Sequence, residues 1–92
     1  MIKQDYIILS NELSLYVGKE IYNAIDEHGL QEFISVEKQY LITAEEFGEI
    51  AHGILEKDTD NVKMEIIQTM AMLVKLFAVV ERDEKDEKDS II

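Results

Sequence analysis

Ninety-two residues allow one small domain, and a chain this short buries only roughly 60–65% of its unfolded surface, which leaves a lone monomer marginal. It has no cysteine and no Cys/His zinc pattern, so neither disulfides nor structural zinc can staple it, and oligomerisation is the remaining common way to enlarge the core. Twenty acidic against nine basic residues, a net charge of −11, argue against partners held by phosphate neutralisation, whether nucleic acid or anionic membrane.

A hydrophobic content of 47% is too high for a disordered chain. The most apolar stretch, Met70 to Val80, is interrupted by Lys75 and falls short of the roughly 20 residues of a membrane span. Met1-Ile2-Lys3-Gln4-Asp5 does not open a signal peptide, so a cytoplasmic location is expected.

There is no proline, which leaves long helices unopposed. The run Tyr6-Ile7-Ile8-Leu9 is too short for its period to separate helix from strand. Ser10 or Asn11 can cap a first helix reaching about His28, with an apolar stripe of Leu13, Val17, Ile21, Ala24 and Ile25. Gly29 then sits where a left-handed residue commonly ends a helix.

A second helix is expected over roughly 31–57, since Phe33, Val36, Tyr40, Ala44, Phe47, Ala51 and Ile54 hold one stripe throughout. Thr43-Ala44-Glu45-Glu46 has the form of a capping box, so a helix beginning there is the rival. The unbroken stripe favours a single helix. Lys57-Asp58-Thr59-Asp60-Asn61 reads as a turn rich in capping side chains.

The third helix is expected from about Val62 to Val80, with Ile66, Ile67, Met70, Leu73, Val74 and Phe77 as its main stripe. Met72, Leu76 and Val79 lie on the other side, so this helix is apolar nearly all round and implies a partner subunit. Residues 81–89 are all charged and are expected to fray as part of a solvated tail over 81–92, leaving 1–80 as the helical domain.

Acidic side chains carry the candidate chemistry. Glu46 and Glu49 are three apart on the second helix, away from the Phe47 stripe, and Glu45 lies four before Glu49. Glu65 and Gln68 are three apart on the third helix, opposite the Met70 stripe. A short turn between antiparallel helices brings such pairs face to face. Like charges at these spacings repel, which makes sense if a cation sits between them, and oxygen-only donors suit Mg²⁺ or Mn²⁺. The bland alternative is a solvated helix face.

The segment Glu45-Glu46-Phe47-Gly48-Glu49 through Asp58, followed by Val62-Lys63-Met64-Glu65-Ile66-Ile67-Gln68, resembles the MazG-like nucleotide pyrophosphohydrolases. That all-α family carries Glu-Glu-x-x-Glu on one helix and Glu-x-x-Asp on the next, and the resemblance covers about residues 40–80. It implies Glu46, Glu49, Glu65 and Gln68 as metal ligands, with Gln68 standing where the family has aspartate. Glutamine can offer a carbonyl oxygen but no charge and no base. Glu-Ile-Ile-Gln is similar to a variant of phage-borne MazG-like proteins.

The activity so implied is Mg²⁺-dependent cleavage of a nucleoside triphosphate, NTP or dNTP, to monophosphate and pyrophosphate. Divalent ions would bridge carboxylates and phosphate oxygens. Glu45 or Glu49 would orient the attacking water, and Lys75, seven residues after Gln68, would contact a phosphate. A lysine snorkelling at a helix edge is the bland reading of Lys75. His28 and His52 have no ligand partner at a useful spacing, and Gly48 and Gly53 suggest close helix approach. The fold expected is an all-α antiparallel bundle completed as a homodimer or homotetramer. The alternatives are a nucleotide- or metal-binding relative with little or no turnover, and an acidic inhibitor that engages a basic partner protein.

Overall fold

The computed structural model describes residues 2–31 and 33–89. It is all-helical, with no strand among the described residues: α1 Lys3–His28, α2 Val36–Leu55 and α3 Thr59–Asp89. α1 starts well before Ser10 and takes in the ambiguous Tyr6–Leu9 run. Asp5 Oδ2 accepts from the Ile2 amide at 3.0 Å and closes its first turn. Gly29 ends it as expected, with φ of 81° and its amide bonded to the Ile25 carbonyl at 2.8 Å; the missing Cβ is what permits that conformation.

α2 is a single helix, but it begins at Val36 rather than near Gln31. Ser35 is its cap, its hydroxyl accepting from the Lys38 amide at 3.1 Å. Thr43 is an interior residue and not a capping box: its hydroxyl donates to the Gln39 carbonyl at 2.7 Å. Asp58 Oδ1 accepts from the Asn61 amide at 3.2 Å and starts α3. Contrary to the expected fraying tail, α3 continues without a break through the charged run to Asp89, supported by a 2.9 Å Lys88–Glu84 ion pair one turn apart. Residues 90–92 of that tail lie outside the described residues.

α2 and α3 form an antiparallel hairpin, and α1 packs against α3. The α1 stripe faces inward: Val17 is buried, and Leu13, Ile21, Ala24 and Ile25 are half-buried. The hairpin interface is polar by comparison. Gln39, 2% exposed, and Thr43 and Thr69 are buried in it, with the Gln39 amide 3.5 Å from the Met72 carbonyl. Gly53 lets the end of α2 close on α3, since a Cβ there would stand 3.0 Å from Val62 Cγ2. At the opposite end, Arg82 ties α3 to the α1–α2 connection by donating to the Ile34 carbonyl at 2.8 Å.

The stripe expected to anchor α2 does not lie in this interface. Phe33, Tyr40, Phe47 and Ile54 are exposed, Phe47 by 65%, and the buried side of the helix is instead the one bearing Gln39, Thr43 and Glu46. α3 behaves alike: Ile66, Leu73, Val74 and Phe77 are exposed while Thr69, Ala71 and Val79 are buried. Only Val17, Ala71 and Val79 are buried apolar residues among those described. The surface area of 7469 Å² exceeds the roughly 5,500 Å² expected of a compact monomer of this mass. The radius of gyration, 15.7 Å, exceeds the expected value of about 12 Å. One chain therefore leaves most of its large apolar side chains uncovered.

Candidate functional site

Glu46 lies on the α3-facing side of α2, in line with Gln39, Thr43 and Gly53. Glu65 lies on the α2-facing side of α3, one turn before Thr69, whose hydroxyl donates to the Glu65 carbonyl at 2.8 Å. The two carboxyls face one another across the hairpin, near enough for the charge of Glu65 to act on Glu46. Burial raises the Glu46 carboxyl above the ordinary glutamate range. The charge of Glu65, a hydrogen bond to it, and the charges of Glu49 and Glu20 push in the same direction.

Oε2 of Glu65 is enclosed and receives no hydrogen bond. A buried carboxylate oxygen without a donor is costly, and when both acids are ionised neither can donate to the other. A cation is the natural complement. The donors are oxygen only, as Mg²⁺ prefers, and Mg²⁺ is commonly held by one or two carboxylates together with substrate phosphates. Among the described residues, no set of three or more His, Cys, Asp or Glu side chains is gathered tightly enough to hold a metal alone. Glu46 and Glu65 alone supply two of the oxygen-bearing side chains that such an ion needs.

The remaining sequence candidates are distributed around this pair. Glu49 is exposed, one turn beyond Glu46 and close enough to act on it. Gln68 is half-buried, one turn beyond Glu65. Glu45 is exposed and lies about 100° around α2 from Glu46, outside the groups that act on it. Lys75 is half-buried at a different place. It lines a cavity of about 350 Å³ between α1 and α3 with Ile21, Ile25, Leu30, Val79 and Arg82, about 15 Å along α3 from Glu65. His28 and His52 are exposed, His52 beside Glu56 at 3.0 Å.

Glu20 of α1 was not singled out by the motif. It is half-buried and occupies position i+3 from Val17, at the edge of the inward stripe. That spacing was the available signal: an acid bordering an apolar stripe is carried toward whatever the stripe packs on.

No helix among the described residues is long and apolar enough to cross a membrane. In comparison with known proteins, the chain matches no family model, no curated sequence and no solved structure.

Proposed function

We propose that this protein is a Mg²⁺-dependent nucleoside triphosphate pyrophosphohydrolase, releasing monophosphate and pyrophosphate. The observation that carries the reading is the meeting of Glu46 and Glu65 across the α2–α3 hairpin, with an unsatisfied carboxylate oxygen between helices already crowded with negative charge. The resemblance of 45–68 to the MazG-like motifs supports the reaction type. Glu46 and Glu65 would hold Mg²⁺, with Glu49 and the Gln68 carbonyl as further donors. Bound there, the ion would offset the triphosphate charge against a −11 chain.

Glu49, one turn beyond Glu46 on α2, would accept a proton from a water, since Glu45 lies about 100° around the helix from Glu46. Lys75 lies about 10 Å beyond Gln68 along α3 and reaches a phosphate only if the substrate runs along the α1–α3 groove. The test is pyrophosphate release from a panel of NTPs and dNTPs, with Mg²⁺ and with chelator. Metal-dependent release that is lost in both Glu46→Gln and Glu65→Gln supports the reading, and absence of release from every triphosphate overturns it.

Binding without turnover is the second reading, and Gln68 favours it. A neutral amide supplies neither the charge nor the basicity of a carboxylate. Mg²⁺-dependent nucleotide binding by a chain that releases no pyrophosphate would select it.

A further inference from the structure

The exposed stripe of α2 has an internal symmetry. Tyr40, Leu41, Ala44, Phe47, Gly48, Ala51, Ile54 and Leu55 are separated by steps of one, three, three, one, three, three and one, the same from either end. All of them except Gly48 and the alanines are large apolar side chains that face solvent in the single chain, Leu55 by 80%. At Gly48 a Cβ would meet nothing within 4 Å, so packing within this chain does not call for a glycine there.

We infer that this face binds a second copy of the same chain, α2 against α2 antiparallel, about a two-fold axis midway between Phe47 and Gly48. In that register each Phe47 ring lies over Gly48 of the second copy, Ala44 is level with Ala51, Leu41 with Ile54 and Tyr40 with Leu55. Such an interface is self-complementary, as two-fold contacts must be. Small residues at Ala44, Gly48 and Ala51 let the two helices approach closely, and Phe47 fills the space the glycine leaves. Val36, Tyr40, Leu41, Leu76 and Val80 line an apolar groove between α2 and α3, which receives Ile54 and Leu55 of the second copy.

Charge agrees with the arrangement. The stripe from Tyr40 to Leu55 carries no ionised side chain at its eight positions, which a −11 chain needs if it is to meet itself. Beyond the stripe, Glu37 is level with Asp58 of the second copy and Lys38 with Lys57, and each of these exposed residues has an opposite charge one position away. The area leaves room for such a contact: the whole chain, with apolar side chains exposed on all three helices, exposes about 2,000 Å² more than a compact monomer of its mass, against roughly 800 Å² per partner in a standard interface. The acidic pair lies away from the stripe, between α2 and α3 and toward Glu20 of α1, so pairing does not involve it. The inference is independent of the metal-site reading.

Light scattering tests the mass, expected at about 21 kDa, twice the 10.6 kDa chain, or at a dimer of such dimers. Because the chain has no cysteine, engineered thiols report the register. Chains carrying Ala44→Cys mixed with chains carrying Ala51→Cys should form a disulfide-linked dimer on mild oxidation, since the two positions are level. Neither variant alone should do so, because like positions stand about 10 Å apart along the axis, beyond disulfide reach. Phe47→Ala should weaken association by roughly tenfold or more. A monomeric mass overturns the inference, as does Ala44→Cys linking to itself, or a dimer without the mixed cross-link. These Ala→Cys changes add one sulfur on an exposed face and do not depend on a disruptive variant folding.

Discussion

The two sides of α2 differ in a way that inverts the usual inside–outside order. Toward α3 the helix presents Gln39, Thr43, Glu46 and Gly53, and toward solvent it presents Tyr40, Leu41, Phe47, Ile54 and Leu55. Burying polar groups while leaving aromatic rings wet costs free energy on both counts. On the proposed readings, the acid side would take a cation and phosphate, and the apolar side a second copy of the chain. α1 differs in its packed side, which carries the apolar stripe of Leu13, Val17, Ile21, Ala24 and Ile25, although it too leaves Ile8, Leu15 and Tyr22 exposed on the opposite side.

The sharpest way to break this comparison is to remove charge from the inner side. Glu65→Gln should lower pyrophosphate release by roughly 100-fold or more, the loss expected when an ion that stabilises developing charge is no longer held. The same change should leave the dimer mass unaltered, because the outer side is untouched. Loss of activity together with loss of the dimer would mean that the two sides are not separate devices.

The two helix glycines give a smaller, opposed pair of effects. Gly53→Ala places a methyl 3.0 Å from Val62 Cγ2, and Val is stiff about χ1. The steric cost of about 1–3 kcal/mol outweighs the gain of about 1 kcal/mol in helix propensity, so urea unfolding should shift to lower concentration. Gly48→Ala meets no atom of its own chain. It should raise the stability of the dilute, dissociated chain by about 1 kcal/mol while weakening association, so the concentration dependence of the unfolding midpoint separates the two glycines.

Proton linkage at Glu46 distinguishes the inner side further. Its carboxyl is raised in the folded chain, so the native state keeps a proton that the unfolded state releases. The resulting contribution to stability is present below the ordinary glutamate value of about 4.3 and is lost as pH rises through the higher folded value. Thermal midpoints measured across that range should therefore fall less with rising pH in Glu46→Gln than in the parent. Added Mg²⁺ should raise the midpoint of the parent at neutral pH and leave that of Glu46→Gln nearly unchanged.

The smallest expected effect tests the frame that holds both sides in place. Arg82→Met removes the bond to the Ile34 carbonyl and should lower stability by about 1 kcal/mol. Pyrophosphate release at saturating substrate should not change.

The helices themselves were legible in the chain. Absence of proline, Gly29 after His28 and the capping side chains around Asp58 determine the number of helices, the end of α1 and the α2–α3 turn, because these are local effects of backbone sterics and hydrogen bonding. The start of α1 at Lys3, the start of α2 at Val36 and the continuation of α3 to Asp89 were not read from them. The α1 stripe was legible too, and so was the three-residue spacing of Glu46 with Glu49 on α2 and of Glu65 with Gln68 on α3. Periodicity identified the α2 stripe correctly as one face, yet it carries no information about what covers that face. The stripe is as regular as that of α1, and only packing reveals that α2 turns its other side to α3.

The same limit applies to the acidic site. Spacing placed Glu46 with Glu49 and Glu65 with Gln68, whereas the approach of Glu46 to Glu65, the nearness of Glu20 and the placement of Lys75 in the cavity beside α1 depend on how three helices lie together. Local sequence determines which side chains share a side of a helix, since that follows from about 100° of rotation per residue. Which sides meet is a property of the whole packed chain, in which the close approach at Gly53 joins α2 to α3 on the side that bears Gln39 and Thr43.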